Sequence, residues 1–354
     1  MKVTRTVGLT LGKYAPLHKG HQLVIDTAFR EMDEVIVMIY DSPEFTNVPL
    51  TVRARWIRKL YPTITVIECW NGPSAMGSTP EIQKLQEDYV IKKLDGKKIT
   101  HFYCGESYGE HMSKALSAVD RRIDRSILPT SGTALRADPY AGRQFIDPIV
   151  YRDLIVNVAF IGAPSTGKST IAEALAKEHD TVFMPEYGRE YWMKNQVNHR
   201  LTPWQLVELA TEHKAREDEV ILQANRVLFT DSTALTTYVF SQYYHGRVLS
   251  HLTGLALMAQ SEYDLVFLCD TDIPFDDTWD RSGAVSREIM QKMILADLHM
   301  RKIPYIVLRG SLSQRMRCVG NVLKGYTKYT NMLRAYEYSE SLALPAHPWP
   351  VGGI

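Results

Sequence analysis

Twice in this chain a β-rich apolar run leads into a glycine turn and then into a helical pattern. The first instance is Thr4–Leu11 followed by Gly12–Gly20, and the second is Leu154–Ile161 followed by Gly162–Gly167. Further strands alternate with helices after each opening, which implies mostly parallel sheets with helices on both faces. The segment Asp138–Asp153, with Pro139, Gly142 and Pro148, reads as a connection, and the boundary is placed near Val150. The expected fold class is α/β, with two doubly wound parallel-sheet domains at 1–150 and 151–325 and a C-terminal tail at 326–354. A length of 354 residues accommodates both.

In the first half, Glu34–Tyr40, Ile64–Glu68 and Ile99–Cys104 read as strands, and Thr51–Tyr61 and Pro80–Leu94 as helices, the latter with proline in its first turn. In the second, Lys168–His179 reads as a helix and Thr181–Met184 as a short strand. Thr202, Pro203 and Gln205 form a capping-box start to a helix reaching about Asn225. Arg226–Thr230, Leu265–Cys269 and Tyr305–Leu308 read as buried strands. The last stretch is rich in tyrosine, then in proline and glycine, and reads as a docking tail.

Composition excludes several classes. Lysine and arginine total 41 against 40 aspartates and glutamates, a net charge of +1, so nucleic acid is not an expected partner. The four cysteines, Cys69, Cys104, Cys269 and Cys318, have no C-x-x-C spacing and form no disulfide scaffold. No apolar run approaches the roughly 20 residues that cross a bilayer, and no secretory leader is expected. A cytoplasmic setting follows; homo-oligomerisation stays open.

Residues 12–21 read G-K-Y-A-P-L-H-K-G-H. His18 and His21 are three apart at the start of a helix, which puts both imidazoles on one face. A helix N-terminus attracts phosphate, and two histidines there can stabilise charge growing on phosphorus. The plain alternative is a pair of solvated loop histidines. A second segment, Ser131-Gly132-Thr133-Ala134-Leu135-Arg136, offers hydroxyls, backbone N–H groups and an arginine that can close over a triphosphate. Simple capping by Ser131 or Thr133 is compatible with that. Lys13, Gly12, Ser131, Thr133 and Arg136 join the histidines as candidates.

Gly162-Ala-Pro-Ser-Thr-Gly-Lys-Ser169 is a complete G-x-x-x-x-G-K-S between a strand and a helix. Its loop N–H groups, including those of Ser165, Thr166, Gly167 and Thr170, cradle ATP phosphates. Lys168 reaches the β- and γ-phosphates and Ser169 binds Mg²⁺. Asp231 ends a later strand where a second Mg²⁺ ligand belongs, and Asp270 competes for that place. Glu186, in P-E-Y-G-R-E-Y, is placed to take the proton of an acceptor hydroxyl, with helix capping as its alternative. Arg281 and Arg287 follow Pro274, where a lid would bring a cation to the transferring phosphoryl group; ordinary surface charge competes, more strongly for Arg287.

The first pair of segments resembles the nucleotidylyltransferase signatures G-x-x-x-P-x-H-x-G-H and S-x-T-x-x-R. A nucleotidylyltransferase half followed by a P-loop kinase half resembles the NadR-type family, in which nicotinamide mononucleotide adenylyltransferase is fused to ribosylnicotinamide kinase. Leu50–Trp56, Ser131–Pro139, Gln144–Ile146, Glu186–Glu190 and Asp264–Pro274 extend the likeness to about residues 4–320. The resemblance implies a Rossmann-like first domain and a bifunctional NAD salvage enzyme. Its kinase half would phosphorylate ribosylnicotinamide, and its transferase half would join nicotinamide mononucleotide to AMP, giving NAD and pyrophosphate. It also implies ATP as substrate of both sites, Mg²⁺ as cofactor and small molecules, not a membrane, as partners. The helix-turn-helix domain of some members is not expected here, because the first strand begins almost at Met1. The lid, Asp276–Ser282, is longer than the family's D-D-G-x-R. Trp70 is a candidate to stack on nicotinamide, with a core tryptophan as its alternative. The rival readings are transfer to another phosphate acceptor fused to a deoxynucleoside-type kinase, and a non-catalytic NAD or ATP sensor.

Overall fold

The computed structural model describes residues 5–73, 77, 79–106, 108–124, 126, 128–196, 200–275 and 284–330. Two compact units divide between Val150 and Tyr151.

The first unit runs β1 (Val7–Gly12), α1 (Lys19–Glu31), β2 (Glu34–Tyr40), α2 (Leu50–Leu60), β3 (Thr65–Cys69), α3 (Pro80–Leu94), β4 (His101–Cys104), α4 (Gly109–Ala115), β5 (Val119–Arg122) and α5 (Gly132–Ala137). Its sheet has the order β3-β2-β1-β4-β5, and every pairing is parallel. Strand order reverses at β1, so the crevice where doubly wound sheets bind ligands lies beyond the Gly12 end of that strand. The β-branched and aliphatic run of β2 is buried from Val35 to Ile39, and its Ile36 and Met38 pack with Leu9, Phe102 and Val90. Burial of each such side chain contributes about 1.5–3 kcal/mol. Strand β5 forms one edge; all four of its residues, Val119, Asp120, Arg121 and Arg122, are exposed.

Helix α6 (Pro148–Leu154) carries the division between the units, where a plain connection was expected. Asp147 accepts a hydrogen bond from the Ile149 N–H at 3.0 Å, and Pro148 occupies the first turn, where its missing N–H costs nothing. Strand β6 (Val156–Ile161) therefore starts later than Leu154.

The second unit continues with α7 (Lys168–Glu178), β7 (Phe183–Met184), α8 (Gly188–Asn195), α9 (Pro203–Val220), β8 (Val227–Asp231), α10 (Ala234–His245), α11 (Ser250–Glu262), β9 (Leu265–Cys269), α12 (Ala284–Arg301), β10 (Ile306–Leu308) and α13 (Leu312–Gly325). The order β10-β9-β6-β8-β7, again all parallel, places β6 at the centre. Phe160 of β6 stacks between Phe229 and Phe267, at centroid distances of 6.1 and 5.8 Å. Thr202 and Gln205 form the expected capping box, and α9 gives way to a short 3-10 turn at Ile221–Gln223 before reaching Asn225. Among the described residues no helix is long and apolar enough to cross a membrane. The tail beyond Thr330 lies outside the described residues.

Candidate functional site

In the first unit, β1 delivers Gly12 to the switch point, and the chain turns through Tyr14, whose φ is +47°. His18 is the N-cap of α1: its Nδ1 accepts the Gly20 N–H at 3.1 Å. That bond requires an unprotonated Nδ1 and so puts the ring's proton on Nε2. A Cβ at position 20 would stand 2.9 Å from the His18 ring, so Gly20 is needed for this cap. The His21 ring lies 3.8 Å from that of His18, and Tyr14 meets His21 edge-on at 4.9 Å. His18 is 1% exposed, which excludes a solvated loop histidine.

Ser131 caps α5 by accepting the Ala134 N–H at 3.2 Å. Arg136, one turn on, donates to the Ala15 carbonyl at 2.8 Å and to Thr133 Oγ1 at 3.1 Å. These bonds seat the second segment on the first, and a Cβ at Gly132 would stand 3.1 Å from the Arg136 guanidinium and 3.4 Å from Ala15 O. The Lys13 ammonium rests over the Phe45 ring, 3.1 Å from its centroid. Burial pushes the Lys13 pKa down and nearby Arg136 adds to this, while Glu44 and Glu106 oppose it. Beneath them Arg53, fully buried, donates to the carbonyls of Lys13, Tyr40, Asp41 and Val48. Burial lowers its pKa to about 10 against the pull of Asp41. Trp70 is 41% exposed, which excludes the core alternative.

In the second unit the loop after β6 is shaped by Gly162, with φ +144°, where a Cβ would come within 2.7 Å of the Cys269 carbonyl. Gly167, at φ +80°, starts α7. Thr166 Oγ1 and Lys168 Nζ both donate to the Ala163 carbonyl, at 2.8 and 3.0 Å. Ser169 donates to the Asp231 carboxylate at 2.5 Å, so the hydroxyl at the start of α7 and the acid at the end of β8 are brought together. Asp231 is fully buried. Gly162, Ser165 and Thr170 lie in the same loop-to-helix segment; Thr170 is exposed.

Glu186 precedes α8, whose N-cap is Tyr187, a residue that makes no side-chain cap bond. Burial raises the Glu186 pKa, the neighbouring Asp231 charge raises it further, and Lys168, Arg189 and His213 pull it back. Asp270 has a different setting. Burial pushes its carboxyl up, but Arg309, donating at 2.6 Å, and the Thr271 N–H outweigh this and hold it below the usual range.

Three side chains beside the loop escaped the sequence reading or were undervalued by it. Arg287 is 5% exposed and donates to the carbonyls of Ser165 and Ile273, at 3.2 and 2.9 Å, so it is no surface charge. Its Nε is buried without a hydrogen-bond partner among the described residues. Arg315 of α13, 3% exposed, donates to Thr166 O at 2.6 Å, Gly310 O at 3.1 Å, Asp270 O at 3.3 Å and the Asp272 carboxylate. Gln291 of α12 accepts the Ala163 N–H and donates to Cys269 O. No short-range signal marks Arg315 or Gln291, because both bind backbone carried by distant segments. Arg281 lies outside the described residues.

Among the described residues no cluster of three or more histidines, cysteines or carboxylates is disposed to hold a metal. The Ser169–Asp231 pair offers two oxygens, which fits Mg²⁺, an ion that usually takes one or two protein oxygens and completes its shell with water and substrate phosphates.

A strand–glycine–histidine turn and a P-loop, each at the reversal point of its own parallel sheet, define a two-domain α/β nucleotide-binding chain. The chain is similar to NadR proteins. It is 26% identical over 343 residues, 89% of this chain and 82% of the relative, to the "Trifunctional NAD biosynthesis/regulator protein NadR" of Escherichia coli (strain K12). A family model described as "AAA domain" matches residues 157–315. Two solved structures share the fold: NadR in complex with NR, at TM-score 0.54 and 21% identity over 92% of this chain and 97% of that one, and NadR in complex with NAD and AMP-PNP, at 0.50 and 20% over 98% and 99%.

Proposed function

We propose that this chain is a bifunctional NAD salvage enzyme. The second unit phosphorylates ribosylnicotinamide with ATP, and the first transfers AMP from a second ATP to the resulting nicotinamide mononucleotide, releasing pyrophosphate. The observation that carries this reading is the pairing of two complete phosphate-handling turns in one chain that is similar to NadR over most of its length.

In the transferase half, His18 and His21 stabilise charge developing on the reacting phosphorus, and Lys13, Arg136 and the Ser131–Thr133 turn bind the triphosphate. Gly12 lets the nucleotide approach β1. No covalent intermediate is required; position and charge carry the reaction. In the kinase half, the Gly162–Thr170 segment holds ATP, and Lys168 neutralises the phosphoryl oxygens. Ser169 and Asp231 would hold Mg²⁺, which neutralises phosphate charge when bound. Glu186 accepts the ribose hydroxyl proton; its raised pKa makes the ionised carboxylate a stronger base. Arg287, anchored on the loop itself, and Arg281 are the cations for the phosphoryl group in transfer.

The test is an assay of the purified chain with ATP, Mg²⁺ and a panel of ribosides and mononucleotides, read by mass spectrometry. NAD formed from ribosylnicotinamide is the expected product. Phosphorylation confined to deoxynucleosides, or adenylylation confined to other phosphates, would overturn the assignment.

A further inference from the structure

The two signature segments of the first unit each contribute a cation, Lys13 from the turn after β1 and Arg136 from α5. Both stand over one aromatic ring. The Lys13 ammonium is 3.1 Å from the centroid of Phe45, and the Arg136 guanidinium carbon is 5.9 Å from it. Like charges brought this close oppose each other, which is one reason the Lys13 pKa is lowered. The negative face of an aromatic ring offsets that repulsion and gives each cation a defined place.

Phe45 is itself held in register with Lys13. It sits in the 41–49 loop between β2 and α2, where neighbouring Thr46 is 7% exposed and accepts the Val48 N–H at 3.1 Å. Arg53 ties both ends of that loop and the Lys13 carbonyl to one buried guanidinium. Arg136 has two oxygen anchors of its own, Ala15 O and Thr133 Oγ1. For the Lys13 ammonium, the ring is the anchor that the described structure supplies.

We propose that Phe45 is a positioning residue for adenylyl transfer, holding Lys13 and Arg136 on one aromatic face so that a triphosphate meets a cation pair already assembled. The inference rests on the transferase reading of this unit. The ring touches neither substrate nor the reacting phosphorus; it acts through the two cations. It also explains the single aromatic residue of the 41–49 loop.

The test compares Phe45→Leu, which keeps bulk and removes the π face, with Phe45→Tyr, which keeps both. In the full chain Phe45→Leu should raise KM for ATP in the transferase reaction about tenfold, lower kcat less, and leave ribosylnicotinamide phosphorylation unchanged. Phe45→Tyr should stay near wild type. A second readout needs no turnover: isotope-labelled N-methyl groups on Lys13, assigned by their loss in Lys13→Arg, should show a ring-current shift that Phe45→Leu abolishes and Phe45→Tyr keeps. Equal impairment by Leu and Tyr, or an unshifted Lys13 signal in the wild type, would overturn the proposal. A wild-type chain that transfers no AMP yet shows the ring-current shift would sink the transferase reading while leaving the Lys13–Phe45 platform standing.

Discussion

Ser169 places its hydroxyl 2.5 Å from the carboxylate of Asp231, joining the first turn of α7 to the last residue of β8. The contact spans 62 positions in sequence and sets two hard oxygens side by side at the mouth of the P-loop. Asp231→Asn keeps the shape and removes the charge. It should raise the Mg²⁺ concentration needed for half-maximal kinase activity by at least tenfold, measured by titration at saturating ATP. An unchanged Mg²⁺ requirement would move the role to Asp270.

The same charge acts on Glu186. After burial, Asp231 is the largest contributor to the raised Glu186 pKa. A base must be ionised to accept a proton, so kinase kcat/KM should rise with pH through a value above the ordinary 4.5 of a glutamate. Removing the Asp231 charge makes ionisation of Glu186 easier, so this acid limb should move to lower pH in Asp231→Asn assayed at saturating Mg²⁺. Glu186→Gln should abolish the limb and cost about 10²–10⁴ in turnover while ATP affinity holds.

The two activities are expected to separate by mutation. Lys168→Ala should lower phosphorylation of ribosylnicotinamide about 10²–10³-fold and spare NAD formation from the mononucleotide. His18→Ala should do the reverse. Parallel assays of both reactions on each variant check this, and loss of both from a folded Lys168→Ala protein would contradict two independent sites.

Arg315 is expected to matter without touching substrate. Replacing it by methionine leaves the Thr166, Gly310 and Asp270 carbonyls short of a donor and removes the ion pair to Asp272, whose carboxylate keeps the Gly310 N–H. Loss of about 2–4 kcal/mol from the second unit should follow, together with weaker ATP binding, because Thr166 belongs to the cradle. Thermal melts with and without ATP would measure both; a variant with wild-type stability would refute the bracing role.

His213 makes the second unit acid-sensitive. It is 8% exposed, and burial lowers its pKa to about 4 against the attraction of Glu186. The unfolded chain binds this proton near the ordinary 6.5, so the stability that neutral His213 contributes is complete above pH 6.5 and lost as pH falls toward 4. The loss amounts to about 3 kcal/mol. His213→Gln should flatten the melting temperature of the second unit across that window.

Much of this was legible in the sequence because it is written in short-range pattern. The apolar runs of β2 and β9, the glycine turns and the Thr202–Gln205 capping box all report local geometry. Strand β5 was invisible because Val-Asp-Arg-Arg at a sheet edge buries nothing and so carries no apolar signal. Helix α6 was mistaken for a connection because Asp147 and Pro148 serve a turn and a helix start equally well. Arg287 read equally well as a lid cation or as surface charge because its acceptors, Ser165 and Ile273, are backbone carbonyls 122 and 14 positions away. Gln291 and Arg315 were hidden for the same reason.

The charged edge strand of the first unit has a consequence for the protein in bulk. An open parallel sheet ends in unpaired N–H and C=O groups, which recruit strands from other chains and seed fibrils. Strand β5 presents that edge with Asp120, Arg121 and Arg122 outermost, Arg121 paired to Glu31 and Arg122 to Asp120. An incoming strand would have to strip water from these charges before gaining its ladder bonds. The four residues thus act as a solubility gatekeeper, and a chain neutralised there would be expected to gel on concentration while the His18 turn and the P-loop stayed intact.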